Sequence, residues 1–326
     1  MTVGVLGFGG YAPERIMTND DWSELIDTDD EWITARTGIK RRRFAADDES
    51  TADLAMAAAE QALADAGMAG ADLDEIVVAT DTPEVYTPDT AAFLQHRLGA
   101  GPVTAYDLGG SGCAGWVLAL DVARARIEQS AKRVLVVGVE LISRLMNWDD
   151  RATAVLFGDA AGAVVLGPEA GKAELIGALA GTDGSRADIL TLEAGGTRLP
   201  FNEESFHSGA YKKVVMNGRE VFKDAVRRMS AACRDVVASV GLTMDDVDLV
   251  VPHQANKRII DAVGSKLDLS EDRVYVNVDE YGNTGSASVP FALSEARHGG
   301  RIDEGDTVLL TAFGAGFHWA AAVLQF

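Results

Sequence analysis

Ala58-Ala59-Glu60-Gln61-Ala62-Leu63-Ala64-Asp65-Ala66-Gly67 reads as a helix closed by a glycine, and seven residues later Asp74 leads into the apolar run Glu75-Ile76-Val77-Val78. The same grammar returns at 232–241, another helix ending at a glycine, with Asp248 and Leu249-Val250-Val251 at the same interval. The offset is 174 residues (241 − 67). Ala119-Leu120-x-x-Ala123-Arg124 recurs as Ala292-Leu293-x-x-Ala296-Arg297 at offset 173, and Val134-Leu135-Val136-Val137 as Val308-Leu309-Leu310-Thr311 at offset 174. Three matches in one order imply an ancient duplication. Two similar α/β halves, 1–169 and 170–326, meet near Gly167-Pro168-Glu169-Ala170-Gly171, and the period is too long for a solenoid. Strands alternating with helices call for sheets covered by helices. The runs Ile76–Ala79, Val134–Val137, Ala163–Leu166 and Val250–Pro252 are apolar almost throughout, as strands buried on both faces are.

The 326 residues, 47% of them hydrophobic, suffice for two cores. Two cysteines, Cys113 and Cys233, make no disulfide framework, and no Cys/His spacing suggests a metal site, so a reducing cytoplasm is the expected setting. The first residues run into a strand pattern without a basic leader. The least charged stretch, Thr307 to Phe326, is broken by Gly314, Gly316, His318 and Gln325, and reads as two strands joined by a glycine turn rather than a membrane span. A net charge of −21 argues against nucleic acid as a partner. It also means that an anionic partner must land on local basic spots, of which Lys40-Arg41-Arg42-Arg43, Lys212-Lys213, Arg227-Arg228 and Lys257-Arg258 are candidates.

Gly109-Gly110-Ser111-Gly112-Cys113-Ala114-Gly115 places a cysteine between a strand pattern at 103–108 and helical spacing at Trp116, Leu120, Ala123 and Ile127. A helix N-terminus favours thiolate over thiol, and small neighbours leave room for a substrate. The alternative is a buried structural cysteine. Under the repeat, Cys113 maps onto Ser286, so two equivalent turns are expected to share one cleft if the halves face each other. His253 directly follows an apolar strand, at the edge where α/β sheets place ligands. Asn283 lies in a glycine-flanked loop after an expected strand Arg273–Val278. The order Cys, His, Asn also suits a papain-like hydrolase, but the long stretch before the cysteine and the duplication oppose it. Gly7-Phe8-Gly9-Gly10-Tyr11-Ala12 fits a loose dinucleotide fingerprint, yet Pro13 follows and no glycine-led helix begins.

Five ordered motifs span the chain: Asp27-Thr28-x-x-Glu31-Trp32-Ile33-x-x-Arg36-Thr37-Gly38-Ile39, Phe157-Gly158-Asp159-x-Ala161-Gly162-Ala163, Val251-Pro252-His253-Gln254-Ala255-Asn256, Tyr281-Gly282-Asn283-Thr284 and Phe313-Gly314-Ala315-Gly316-Phe317. Together they resemble the β-ketoacyl-acyl-carrier-protein synthase III family, the initiating condensing enzymes of type II fatty-acid synthesis. The resemblance implies a thiolase-like α/β fold, two duplicated halves in a five-layer αβαβα sandwich, and a cytoplasmic homodimer without metal, cofactor or membrane association. It implies decarboxylative Claisen condensation of an acyl-CoA primer with malonyl-acyl-carrier protein, giving 3-oxoacyl-acyl-carrier protein, CoA and CO₂ by a ping-pong route through acyl-cysteine.

By the same resemblance Cys113 is the nucleophile, with the backbone N–H groups of Cys113 and Ala315 as oxyanion hole, while His253 and Asn283 stabilise the enolate. Trp32 and Arg151 sandwich the CoA adenine, Arg36 meets its phosphates, and Thr28 and Asn256 complete the CoA site. Thr87, Ile142 and Phe157 line the acyl pocket, Thr87 from the partner subunit in many members. The small Thr87 implies tolerance of primers longer or more branched than acetyl, although Tyr86 is placed to refill the space. Lys223 and Arg258 are the expected docking points for the acidic carrier. A biosynthetic thiolase would want a second cysteine in the Phe313–Gly316 motif, which has none. A relative that transfers acyl groups to an alcohol or amine is the closer rival, and Asn283 favours condensation over it.

Overall fold

The computed structural model describes residues 3–130 and 133–326. The chain opens with β1 (Gly4–Tyr11), then a small hairpin, β2 (Arg15–Thr18) and β3 (Arg41–Phe44), enclosing α1 (Asn19–Leu25) and α2 (Asp30–Thr37). Next come α3 (Thr51–Ala66), β4 (Glu75–Ala79), α4 (Thr90–Arg97), β5 (Thr104–Leu108), α5 (Gly115–Gln129), β6 (Val134–Leu141) and β7 (Asp159–Gly167). After β8 (Ala173–Thr182), the hairpin β9 (Leu190–Leu192) and β10 (Val214–Met216) encloses α6 (Glu203–His207). The chain ends with α7 (Gly218–Ser239), β11 (Leu249–Pro252), α8 (Lys257–Lys266), α9 (Val278–Tyr281), α10 (Ser288–His298), β12 (Thr307–Gly314) and β13 (His318–Gln325).

Helix α3 forms because Ser50 and Asp53 make a reciprocal capping box and Gly67, in the left-handed region, stops it. Its alanines make it thin. A side chain on Gly7 would meet the Ala62 carbonyl at 2.2 Å, and one on Gly9 the Ala58 carbonyl at 2.1 Å. The glycines of the loose dinucleotide fingerprint therefore serve close packing of strand on helix. On β4 and β6, Ile76, Val78, Leu135 and Val137 pack against α3, while Val77, Ala79, Val134 and Val136 face Trp116 and Leu120 of α5. Both faces are buried, which is why these strands read as unbroken apolar runs.

The strand order is β11-β12-β13-β8-β1-β7-β6-β4-β5. Among the described residues, two half-sheets join at β1 and β8 through two residue pairs, Gly4 with Glu174 and Val5 with Ala173. α5 packs on β4 and β6 of one half-sheet and on β8 and β13 of the other, and α10 likewise touches β1 and β7 as well as β11 and β12. With α3 outside one half-sheet and α7 outside the other, the layers run helix, sheet, helix, sheet, helix. The repeat is visible in detail: the 3-10 turns Gly112–Ala114 and Gly285–Ala287 stand 173 residues apart, each opening a central helix. Thr307–Phe326 is indeed two strands joined by a glycine turn, and no helix among the described residues is long and apolar enough to cross a membrane.

One element differs from expectation. Arg273–Val278 is not a strand: a 3-10 turn ends at Arg273, Val274 makes a single bridge to Val250, and α9 begins at Val278. The side chain of Gln254 takes the place of a neighbouring strand, accepting the N–H groups of Asn277 and Val278 at 2.9 and 3.1 Å and donating to the carbonyls of Pro252 and Tyr275.

Candidate active site

The C-terminal ends of β4, β5, β6, β11 and β12 converge on a cavity of about 1170 Å³. Cys113 lies at its floor, between the end of β5 and the start of α5. The equivalent turns meet: Ser286 Oγ donates to the Gly112 carbonyl at 3.0 Å. His253 follows β11, its N–H bound to the Thr311 carbonyl at 2.8 Å. Asn283 is pinned through its backbone, its N–H donating to Leu156 and its carbonyl accepting from Gly158. Its Oδ1 accepts the Gly285 N–H at 2.9 Å and stands 3.9 Å from Cys113 Sγ. The amide oxygen is thus committed, which leaves its NH₂ as a donor.

Ala315 follows β12. A side chain on Gly314 would meet Cys113 N at 2.4 Å, and one on Gly112 would meet Ala315 N at 2.4 Å. Two glycines thereby let the backbone amides of Cys113 and Ala315 approach across the joint between the halves.

Burial, reinforced by the carboxyls of Glu140 and Asp81, pushes the Cys113 thiol up to about 12, against the pull of the helix start toward thiolate. Burial pulls His253 down to about 3, and it is neutral at physiological pH. Its Nδ1 is buried without a partner. Among the described residues, no cluster of His, Cys, Asp and Glu is arranged to hold a metal ion. Cys233 is wholly buried in the core under α7.

Ile142 and Phe157 line the cavity, as do Trp32, Arg36, Asn256, Lys223 and Arg258 nearer its mouth. Thr28, Arg151 and Thr87 do not. The Arg151 guanidinium lies 4.6 Å from the centre of the Trp32 ring and that of Arg36 4.7 Å, so Arg151 already stacks where the resemblance placed adenine. Asn256 caps α8 through the Arg258 N–H and donates to the Arg36 carbonyl, so its amide is engaged in joining α8 to α2. Thr28 is half-buried with its hydroxyl unpartnered. Thr87 sits on an exposed loop beside Val85 and Tyr86, the latter 85% exposed.

Several of the basic residues are ion-paired. Lys223 pairs with Glu220, Arg227 with Asp224, Arg228 with Asp183, Lys213 with Glu193 and Lys257 with Asp261. Arg258 has no acidic partner within 4.0 Å among the described residues. Arg42 is completely buried, bound to Asn19 and the Val155 carbonyl, and so is no docking point.

Sequence reading missed Asp81 and Glu140, both of which line the cavity. The available signal was Glu140 itself, a carboxylate inside the otherwise apolar run Val134–Leu141.

The C-terminal family model of 3-oxoacyl-[acyl-carrier-protein] synthase III matches residues 237–326, and a second model of that name matches 106–184. The β-ketoacyl-[acyl-carrier-protein] synthase III of Oleidesulfovibrio alaskensis is 47% identical, the alignment covering 98% of each chain. Among solved structures, the synthase III of Thermus thermophilus is 49% identical with a TM-score of 0.90, covering 99% of both chains. That of Aquifex aeolicus is 41% identical with a TM-score of 0.91, covering 99% of this chain and all of that one. Family models, full-length relatives and fold agree, and the chain belongs to the 3-oxoacyl-[acyl-carrier-protein] synthase III family.

Proposed function

We propose that this protein condenses an acyl-CoA primer with malonyl-acyl-carrier protein by decarboxylation, initiating type II fatty-acid synthesis without a cofactor. The observation that carries this reading is the meeting of Cys113, His253 and Asn283 at one cavity, with Cys113 Sγ 3.9 Å from Asn283 Oδ1. Cys113 attacks the thioester carbonyl of acyl-CoA. The tetrahedral oxyanion is held by the N–H groups of Cys113 and Ala315, and collapses to acyl-cysteine as CoA leaves with the thiol proton. The malonyl thioester then enters, and neutral His253 and the Asn283 NH₂ donate to its carbonyl. The C–C bond to the carboxylate breaks to give CO₂ and an enolate. The enolate carbon attacks acyl-cysteine, the C–S bond breaks, and Cys113 leaves as thiolate and takes up a proton from solvent water, the one proton the overall reaction consumes.

Trp32, Arg36 and Arg151 form the CoA-recognition cluster, with Arg151 lifting from the Trp32 ring to admit adenine; Thr28 and Asn256 complete it. Ile142 and Phe157 border the primer, and Thr87 reaches the pocket of a partner subunit in a homodimer built on the edge strand β5 and the 83–88 loop. The open edge of β5 and the exposed Val85 and Tyr86 support that assembly. Arg258, with Lys223, receives the acidic carrier in the cytoplasm.

Intact-mass analysis after acetyl-CoA, isobutyryl-CoA and octanoyl-CoA, with Cys113→Ala as control, tests the reading. Acyl adducts that need Cys113 and disappear with CO₂ release on adding malonyl-acyl-carrier protein are expected. Adducts cleared only by an alcohol or amine would establish the acyltransferase alternative. No adduct from any acyl-CoA would refute both.

A further inference from the structure

The cavity holds a carboxylate that no step above uses. Asp81 lies just past the end of β4 and opens onto the cavity that contains Cys113. Its Oδ1 accepts the N–H of Gly110 at 2.6 Å, two residues before Gly112 and three before Cys113. Gly110 and Gly112 have φ of +74° and +53°. The turn before the nucleophile therefore has no side chains to brace it at those points, and an external acceptor fixes the Gly110 amide.

Asp81 is itself held from β6. Glu140 Oε1 accepts the Asp81 N–H at 3.1 Å, and Oε2 accepts the Thr82 hydroxyl at 2.6 Å. Thr82 Oγ1 in turn accepts the Leu141 N–H at 2.9 Å. The loop of Ala315 is braced within the other half. His318, first in β13, is anchored through Nδ1 on Thr182 Oγ1 at 2.8 Å, and its ring folds over Gly316 in the loop that carries Ala315.

We propose that Asp81 is a positioning residue for the nucleophile: its carboxylate fixes the glycine turn that presents Cys113, and its negative charge opposes the build-up of charge on the Cys113 sulfur. The inference rests on Cys113 being the nucleophile of the reaction proposed above. The titratable groups around the sulfur are Asp81, Glu140 and His253, with His318 behind the Ala315 loop. Burial pushes the Glu140 carboxyl up to about 8. Two neighbouring carboxyls cannot both ionise freely, so the wholly enclosed Glu140 keeps a proton while Asp81, exposed to the cavity and bound by the Gly110 N–H, carries the charge. Holding Cys113 as a thiol until acyl-CoA fills the site shields it from oxidants, since the thiolate is the reactive form.

The test is the pH dependence of Cys113 alkylation by iodoacetamide, read by intact mass in the wild type, Asp81→Asn and Asp81→Ala. Asp81→Asn keeps an oxygen for Gly110 and removes the charge. Its inflection is expected about one pH unit lower, roughly tenfold more thiolate at a given pH below it. Asp81→Ala also loses the acceptor, so acyl-cysteine formation from acetyl-CoA is expected about tenfold slower than in Asp81→Asn. Matching melting temperatures establish that both variants fold. An inflection unmoved in Asp81→Asn, or acylation equally fast in the two variants, would overturn the proposal. Alkylation needs neither acyl-CoA nor carrier, so it decides the role of the charge even if condensation fails.

Discussion

Asn283 has its oxygen tied to the Gly285 N–H and its backbone tied on both sides to the Leu156–Gly158 segment. It can donate in one direction only, and it changes no proton in doing so. Asn283→Ala is therefore expected to leave acyl-cysteine formation nearly intact while slowing decarboxylation by about 10²–10³, the usual cost of losing an oxyanion donor. The measurement is adduct mass against CO₂ release in the same sample. His253 gives a second expectation. With its proton affinity pulled down to about 3, it stays neutral across pH 5–8, so the decarboxylation half-reaction should not titrate with an imidazole in that range. A rate inflection near 6.5 that vanishes in His253→Gln would contradict this. Asn283, His253 and Cys113 were legible because each follows a strand or a glycine turn in a quoted stretch. Asp81 was not, since its part depends on which amides a folded turn leaves facing it.

At the scale of elements, two glycine loops from different halves touch backbone to backbone. Gly314→Ala would place a methyl group 2.4 Å from Cys113 N, against main chain that cannot rotate away. It is expected to cut acylation by acetyl-CoA at least tenfold, measured by stopped-time intact mass, by displacing the oxyanion donors. The helices and most strands of the core were readable from periodicity, because burial on one or both faces dictates which residues alternate. Arg273–Val278 was not, because a single side chain, Gln254, satisfies amides that a strand would otherwise need a neighbour to satisfy. Nor was Arg42, whose basic surroundings read as surface and whose burial follows from tertiary packing between β3 and Val155.

For the molecule as a whole, the duplication was the most informative sequence feature, since it predicted both the halves and the meeting of their turns. Two buried groups shape the pH dependence of stability. His253 is depressed from 6.5 to about 3, so the unfolded chain takes up its proton first and stability is lost as pH falls below 6.5. Glu140 is raised from 4.5 to about 8, so its stability is full below 4.5 and lost as pH rises toward 8. Glu140→Gln is expected to flatten the alkaline limb of melting temperature against pH between 6.5 and 8, and an unchanged limb would show that Glu140 is not the group responsible. Light scattering is expected to give twice the monomer mass, with Tyr86→Arg shifting the population toward monomer.

The joint between the half-sheets, two residue pairs wide, has a mechanical meaning. The halves are therefore held together chiefly by the shared helices α5 and α10 and by the meeting of the two glycine turns. Cys113 stands at the root of α5, whereas His253 and Ala315 belong to the opposite half. Prying the seam apart would disarm the catalyst while most of its secondary structure persisted, and loss of acylation should precede loss of helical signal in denaturant.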